Sequence, residues 1–236
     1  MDGTGILFRP FTQELAQYIS KNISVQVISY PCDQKLSYEQ LIDFVRRRLP
    51  AEDEIILVAE SFSGPIGYAL AAEQPNKIRA VIFVATFLRP PQGLLWMMPP
   101  PLMALLMKIP LPIFFLSRLL FERGTANETV VQFKEALKRV RRVVLAARMY
   151  EMAGLQIEKI EIEAQGLDIP CAYIRAGNDW LISRSHAEEF RRIGPQLTVT
   201  EIPGPHFIMQ ARPRECVQVV LQYIEQHIAA AQEGIR

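Results

Sequence analysis

An alternation runs through the chain and limits its fold more than any other feature. Short runs rich in β-branched residues, SVQVISY (24–30), EIILVAE (54–60), RAVIFVAT (79–86), PCAYIRAG (170–177) and LTVTEIPG (197–204), read as strands. Between and after them, SYEQLIDFVRRRLP, SGPIGYALAAEQP, SRSHAEEFRRIG and RECVQVVLQYIEQHIAAA carry apolar residues three and four apart and read as helices. Strands that are apolar on both faces of the pleat need cover on both faces. The pattern therefore predicts an α/β fold, a mostly parallel sheet with helices on either side. With 236 residues, half of them apolar, one core can be filled, and a single domain spanning 1–236 is expected.

Charge narrows the partners. Lys plus Arg number 26 against 25 for Asp plus Glu, a formal charge of +1, so no overall field gathers a polyanion and nucleic acid is not an expected partner. The three cysteines, Cys32, Cys171 and Cys216, are odd in number, far apart and without CxxC spacing. That fits neither a disulfide framework nor a zinc site, and it suits a reducing cytoplasm. The chain opens without a charged start, apolar segment and cleavage site, so no signal peptide is expected.

In open parallel sheets ligands bind beyond the carboxyl ends of the strands, and three such places carry chemistry. Ser61 stands directly after the run at 54–60 and before the helix containing Gly64 and Gly67, with the small residues Ala59 and Ser63 two positions either side. A serine at such a strand-to-helix corner has its hydroxyl lifted clear of the backbone. Ser61 or Ser63 serving only as a helix cap is the bland alternative. Asp179 follows the run at 170–177 in RAGNDWLIS, where it could orient an imidazole or simply make an Asx turn, ahead of a helix that Ser183 could cap. His206 lies in IPGPHFIM after the last strand run, whereas His186 and His227 fall within polar helical patterns and read as solvated surface residues.

Serine, acid and histidine in that chain order, each at the end of a strand, resemble the α/β-hydrolase family over nearly the whole chain. VAESFSG resembles the nucleophile elbow, AGNDWLIS the acid loop and GPHF the histidine loop. MDGTGILFRPF is similar to the L-D-G-T-G-x-L-F loop of one branch of small bacterial esterases and lipases. The resemblance implies that His206 takes the proton of Ser61 while Asp179 fixes the imidazole. It also implies an oxyanion held by the backbone N–H of Phe62 with one from the loop at Met1 and Asp2. It calls for no metal and no organic cofactor. In these relatives an apolar strand precedes the loop and lies between the strands corresponding to 24–30 and 54–60. This chain begins at the loop itself, and the expectation is a protein that starts upstream of Met1.

A long insertion, about 88–165, falls where the family carries its lid. LLWMMPPPLMALLMKIPLPIFFLSRLL is apolar but interrupted by Pro99, Pro100, Pro101, Pro110, Pro112 and Lys108, short of the roughly 20 apolar residues of a spanning helix. It is expected to pack over the site, with Trp96, Met97, Phe114 and Phe115 binding substrate, or to form a surface that also touches lipid. KEALKRVRRVVLAARMYEMAG reads as one amphipathic helix with a basic face, either solvated or facing anionic headgroups. The expected activity is hydrolysis of carboxylic esters with apolar acyl groups. Thioesters, acyl transfer to an alcohol and a non-catalytic hydrolase-like protein remain as alternatives, and the sequence says nothing of oligomeric state.

Overall fold

The computed structural model describes residues 2–20, 23–51, 54–74, 76–91, 120–121, 127–155, 166–194 and 196–226. Its helices are α1 (Arg9–Leu15), α2 (Tyr38–Arg46), α3 (Gly64–Glu73), α4 (Asn127–Arg139), α5 (Arg142–Ala153), α6 (Arg184–Ile193), α7 (Ile208–Ala211) and α8 (Pro213–Ile224). The strands are β1 (Ile55–Glu60), β2 (Ile78–Val84), β3 (Cys171–Ala176) and β4 (Thr198–Ile202), all paired parallel in the order β1-β2-β3-β4. Register sets Ala59 beside Phe83, Phe83 beside Tyr173, and Ala176 beside Ile202.

Because each strand is added on the same side of its predecessor, right-handed crossovers put the connecting helices on one face. There α2, α3 and α6 cover Val81, Phe83, Cys171 and Tyr173, with Phe83 and Phe190 rings 4.4 Å apart. The alternate residues Ala80, Ile82, Val84, Ala172 and Ile174 point the other way, where α1 and α8 close the face with Phe11, Leu15, Val217 and Val220. Both faces of the sheet are thus covered, as the apolar strand runs require. Among the described residues no helix is long and apolar enough to cross a membrane.

Two elements differ from the sequence reading. Residues 24–30 belong to no strand, and Val25 and Val27 are exposed. The segment runs against the Gly3–Gly5 loop instead of the sheet. Tyr30 N–H donates to Gly3 O at 2.7 Å, and Ser29 Oγ donates to Thr4 O at 2.9 Å. A side chain at Gly5 would press on Ser29 Oγ at 2.8 Å and Val27 Cγ1 at 2.9 Å, so this approach depends on glycine at φ +77°. Along β1, Ile55, Ile56, Leu57 and Val58 remain partly exposed at the sheet edge. The second difference is the basic amphipathic stretch, which is two helices. Arg141 is extended (φ −62°, ψ 136°) and its N–H donates to Cys32 O at 3.0 Å, breaking α4 from α5.

Helix and sheet come close at Gly67, where a β-carbon would lie within 2.8 Å of Ala59 Cβ. Gly67→Ala is expected to lower stability by about 1–3 kcal/mol through overpacking, measured by urea unfolding. Adding Ala59→Gly should restore a large part of the loss, because it removes the atom that collides.

Candidate active site

The turn after β1 is built from sterics. Glu60 is still extended (φ −95°, ψ 136°), Ser61 turns to φ +52°, and residues 61–63 form a single 3-10 turn that leads into α3. A non-glycine residue with positive φ is uncommon and needs surroundings that hold it. Here Thr86, just past β2 and itself preceded by Ala85 at φ +42°, donates its hydroxyl to Ser61 O. Any side chain at Gly64 would land on that same threonine. Tyr173 of β3 secures Thr86 in turn: its hydroxyl donates to Thr86 O at 2.7 Å and accepts from Thr86 N–H at 3.1 Å. Burial pushes the Tyr173 phenol well above its ordinary pKa, which keeps it a donor.

Neither serine caps α3. Ser61 Oγ lies 2.9 Å from His206 Nε2, and Ser63 Oγ lies 2.7 Å from the Tyr30 hydroxyl. His206 is reached through Pro203-Gly204-Pro205 after β4, and its Nδ1 lies 2.8 Å from Asp179 Oδ2. The other carboxylate oxygen of Asp179 accepts the N–H groups of Leu181 and Ile182 at 2.8 and 2.9 Å. The Asx turn and the contact with histidine therefore coexist, one on each oxygen. The acid and histidine loops are joined by Gly177 N–H to Ile202 O and Asn178 N–H to Gly204 O, both 2.8 Å. An acceptor at Asp179 places the proton on Nδ1 and leaves the Nε2 lone pair facing the serine hydroxyl.

Phe62 is fully buried, its ring stacked on Tyr38 at 4.8 Å and its carbonyl accepting from the Tyr38 hydroxyl at 3.3 Å. Asp2 folds back on Thr4, accepting from its N–H at 2.9 Å and its hydroxyl at 2.7 Å. Met1, Trp96, Met97, Phe114, Phe115 and His227 lie outside the described residues. His186 is not on the surface as its helical pattern suggested. It is 2% exposed, with Nδ1 3.4 Å from Glu189 Oε2 and the Phe87 ring edge-on nearby. Ser183 makes no side-chain cap to α6, and its hydroxyl pairs with Ser185 at 2.7 Å. Among the described residues no group of three or more His, Cys, Asp or Glu could hold a metal ion.

Several groups escaped the sequence reading. Arg148 of α5 is buried and donates to Asp2 O at 2.6 Å and Pro31 O at 2.9 Å, holding the loop that faces the serine turn. Its place in the stripe Val144, Leu145, Arg148, Met149, Met152 was a usable signal of burial. Glu60, next to Ser61, is also buried and accepts from Gln210 Nε2 at 2.9 Å. Burial pushes its carboxyl from the ordinary 4.5 up to about 7, against the opposing pull of the Gln210 hydrogen bond and His206.

A carboxyl held protonated in the fold while the unfolded chain ionises makes stability fall as pH rises between those two values. The loss is about 3 kcal/mol in all and is complete above the folded pKa. Glu60→Gln, which cannot ionise, should gain stability relative to the wild type by about that amount between about pH 4.5 and about pH 8, read from paired urea unfolding curves.

The family described as serine aminopeptidase, S33, matches residues 37–204. Among solved structures the fold is similar to an esterase from Thermogutta terrifontis (TM-score 0.72, 17% identity, 94% of this chain and 85% of that one). It is also similar to an enol-lactonase from Burkholderia xenovorans LB400 (0.72, 16%, 94% and 87%) and to a hydrolase from Oleispira antarctica (0.73, 14%, 95% and 88%). No curated protein matches. The α/β architecture and the family match over most of the chain agree, and the chain belongs to the serine aminopeptidase S33 family of α/β-fold hydrolases.

Proposed function

We propose that the protein hydrolyses carboxylic esters with Ser61 as nucleophile, His206 as general base and acid, and Asp179 as the group that orients the imidazole. The observation that carries this reading is the unbroken line from Ser61 Oγ through both ring nitrogens of His206 to Asp179, with Ser61 held at positive φ. Ser61 Oγ bonds to the acyl carbon as its proton passes to Nε2. That proton then leaves with the alcohol, and a water deprotonated by His206 releases the acid and frees the serine. The developing oxyanion would be met by the backbone N–H of Phe62 and by an N–H from the loop around Met1 and Asp2.

Ester cleavage is favoured over cleavage of an amino-terminal peptide bond by the state of the nearby carboxylates. An aminopeptidase needs an acid to receive the substrate's ammonium. Among the described residues near Ser61, Asp179 is taken by His206 and two backbone N–H groups, Asp2 by Thr4, and Glu60 by Gln210. The preference for an apolar acyl group is supported by the apolar cluster of Ile6, Leu7, Phe121 and Phe133, against which Phe207, the neighbour of His206, packs.

A fluorophosphonate probe should label Ser61, located by mass spectrometry, and labelling should vanish in Ser61→Ala and His206→Ala. Asp179→Asn should lower kcat for p-nitrophenyl butyrate by roughly three to four orders of magnitude. An unlabelled Ser61 would leave a hydrolase-like binding protein. Faster turnover of aminoacyl anilides or acyl thioesters than of oxygen esters would move the assignment to those substrates.

A further inference from the structure

Glu60 and Gln210 are 150 residues apart in sequence and meet in the interior at 7% and 4% exposure. Each flanks one half of the Ser61–His206 contact. Glu60 is the last residue of β1, immediately before the serine, and Gln210 lies in α7, four residues after the histidine. The two side chains that react meet at 2.9 Å. That contact must break and re-form in each cycle, so it cannot itself hold the spacing.

The pair also has an unusual inventory of atoms. Gln210 Nε2 donates to Glu60 Oε2, while Glu60 Oε1 and Gln210 Oε1 are both buried acceptors without a hydrogen-bond partner. A carboxylate here would be a buried anion with one hydrogen bond, a costly arrangement. A proton on Oε1 turns that acceptor into a donor, the kind of group the Gln210 carbonyl lacks. The burial that raises the Glu60 pKa acts in the same direction.

We infer that Glu60 and Gln210 are a positioning pair, an acid–amide clamp that fixes the distance between the strand end bearing Ser61 and the helix that follows His206. The inference rests on Ser61 acting as nucleophile. Neither residue touches the reacting atoms, so its signature is a loss in kcat with KM unchanged, since a misplaced base slows the chemical step without altering ground-state binding.

The test uses the full chain with p-nitrophenyl butyrate and with fluorophosphonate labelling of Ser61 in the wild type. Glu60→Gln, which can pair with Gln210 as amide with amide, should keep kcat within about threefold. Glu60→Met and Gln210→Met, close in volume but unable to pair, should each lower kcat about tenfold or more with KM within about threefold, and the double variant should be no worse than either. Circular dichroism reports whether each variant is folded. If the methionine variants do not fold, Glu60→Asp, one methylene short of Gln210, should show the same kcat loss. Wild-type kcat in the folded methionine variants, or in Glu60→Asp where they fail, overturns the inference. So does a Glu60→Gln loss as deep as that of Glu60→Met, which would assign the effect to charge. An unlabelled wild type overturns the nucleophile reading and the clamp together, whereas a labelled wild type with indifferent variants overturns the clamp alone.

Discussion

The close approach of α3 to the ends of β1 and β2 sets the remainder of the site. Gly64 leaves room for Thr86, Thr86 binds the Ser61 carbonyl, and the backbone between them turns through a conformation serine rarely adopts. Gly67 permits the same helix to lie against Ala59, two residues before Ser61. Two glycines on one helix therefore bring its first turn down onto the sheet. The Ser61 side chain then faces the loops after β3 and β4, where the acid and the histidine stand. A β-carbon at either position would lift the helix and move Ser61 out of line with His206, so sterics at the helix start govern a polar contact several residues away.

Much of this was legible in the residues. Four of the five strand runs appear where the β-branched apolar runs put them, because both faces of the sheet bury side chains and leave a strong signal. Residues 24–30 carry the same β-branched signal yet pair with no strand, since such a run becomes a strand only beside a partner, and this segment lies against the Gly3–Gly5 loop. At the candidate site, chain order was enough to bring Ser61, Asp179 and His206 together. The supporting groups were hidden because Thr86, Tyr173, Glu60 and Gln210 are common residue types whose meaning lies in contacts across 25 to 150 positions of sequence. His186 misled for a related reason: the polar pattern of α6 is that of a surface helix, while this one histidine sits on its inward edge against Phe87.

Polar groups buried around Ser61 divide into two kinds. Tyr173, Tyr30 and Tyr38 are neutral hydroxyls that bridge loops at small electrostatic cost, each joined to a backbone carbonyl or a serine hydroxyl. Glu60, Arg148 and the Asp179–His206 pair bring ionisable groups into the interior, where a missing partner is expensive. Glu60 adjoins the serine turn, Asp179 and His206 join the acid and histidine loops, and Arg148 binds the Asp2 carbonyl beside the glycine loop. Ionisable groups enter the interior where they position the site, whereas the ion pairs of Arg46 with Asp43 and Glu73 stay on the surface.

Arg148 ties together parts of the chain that evolution and engineering would otherwise treat separately. It stands in the stretch between β2 and β3, but its guanidinium serves the carbonyls of Asp2 and Pro31, at the other end of the sequence. A chimera that exchanged this stretch for the corresponding segment of a relative would strip two partly buried carbonyls of this donor while leaving every residue of the amino-terminal loop unaltered. Segment swapping in this fold is therefore not modular. Compatible grafts are those that deliver a guanidinium to the same two oxygens, and the inheritance of the loop and of α5 is coupled through one side chain.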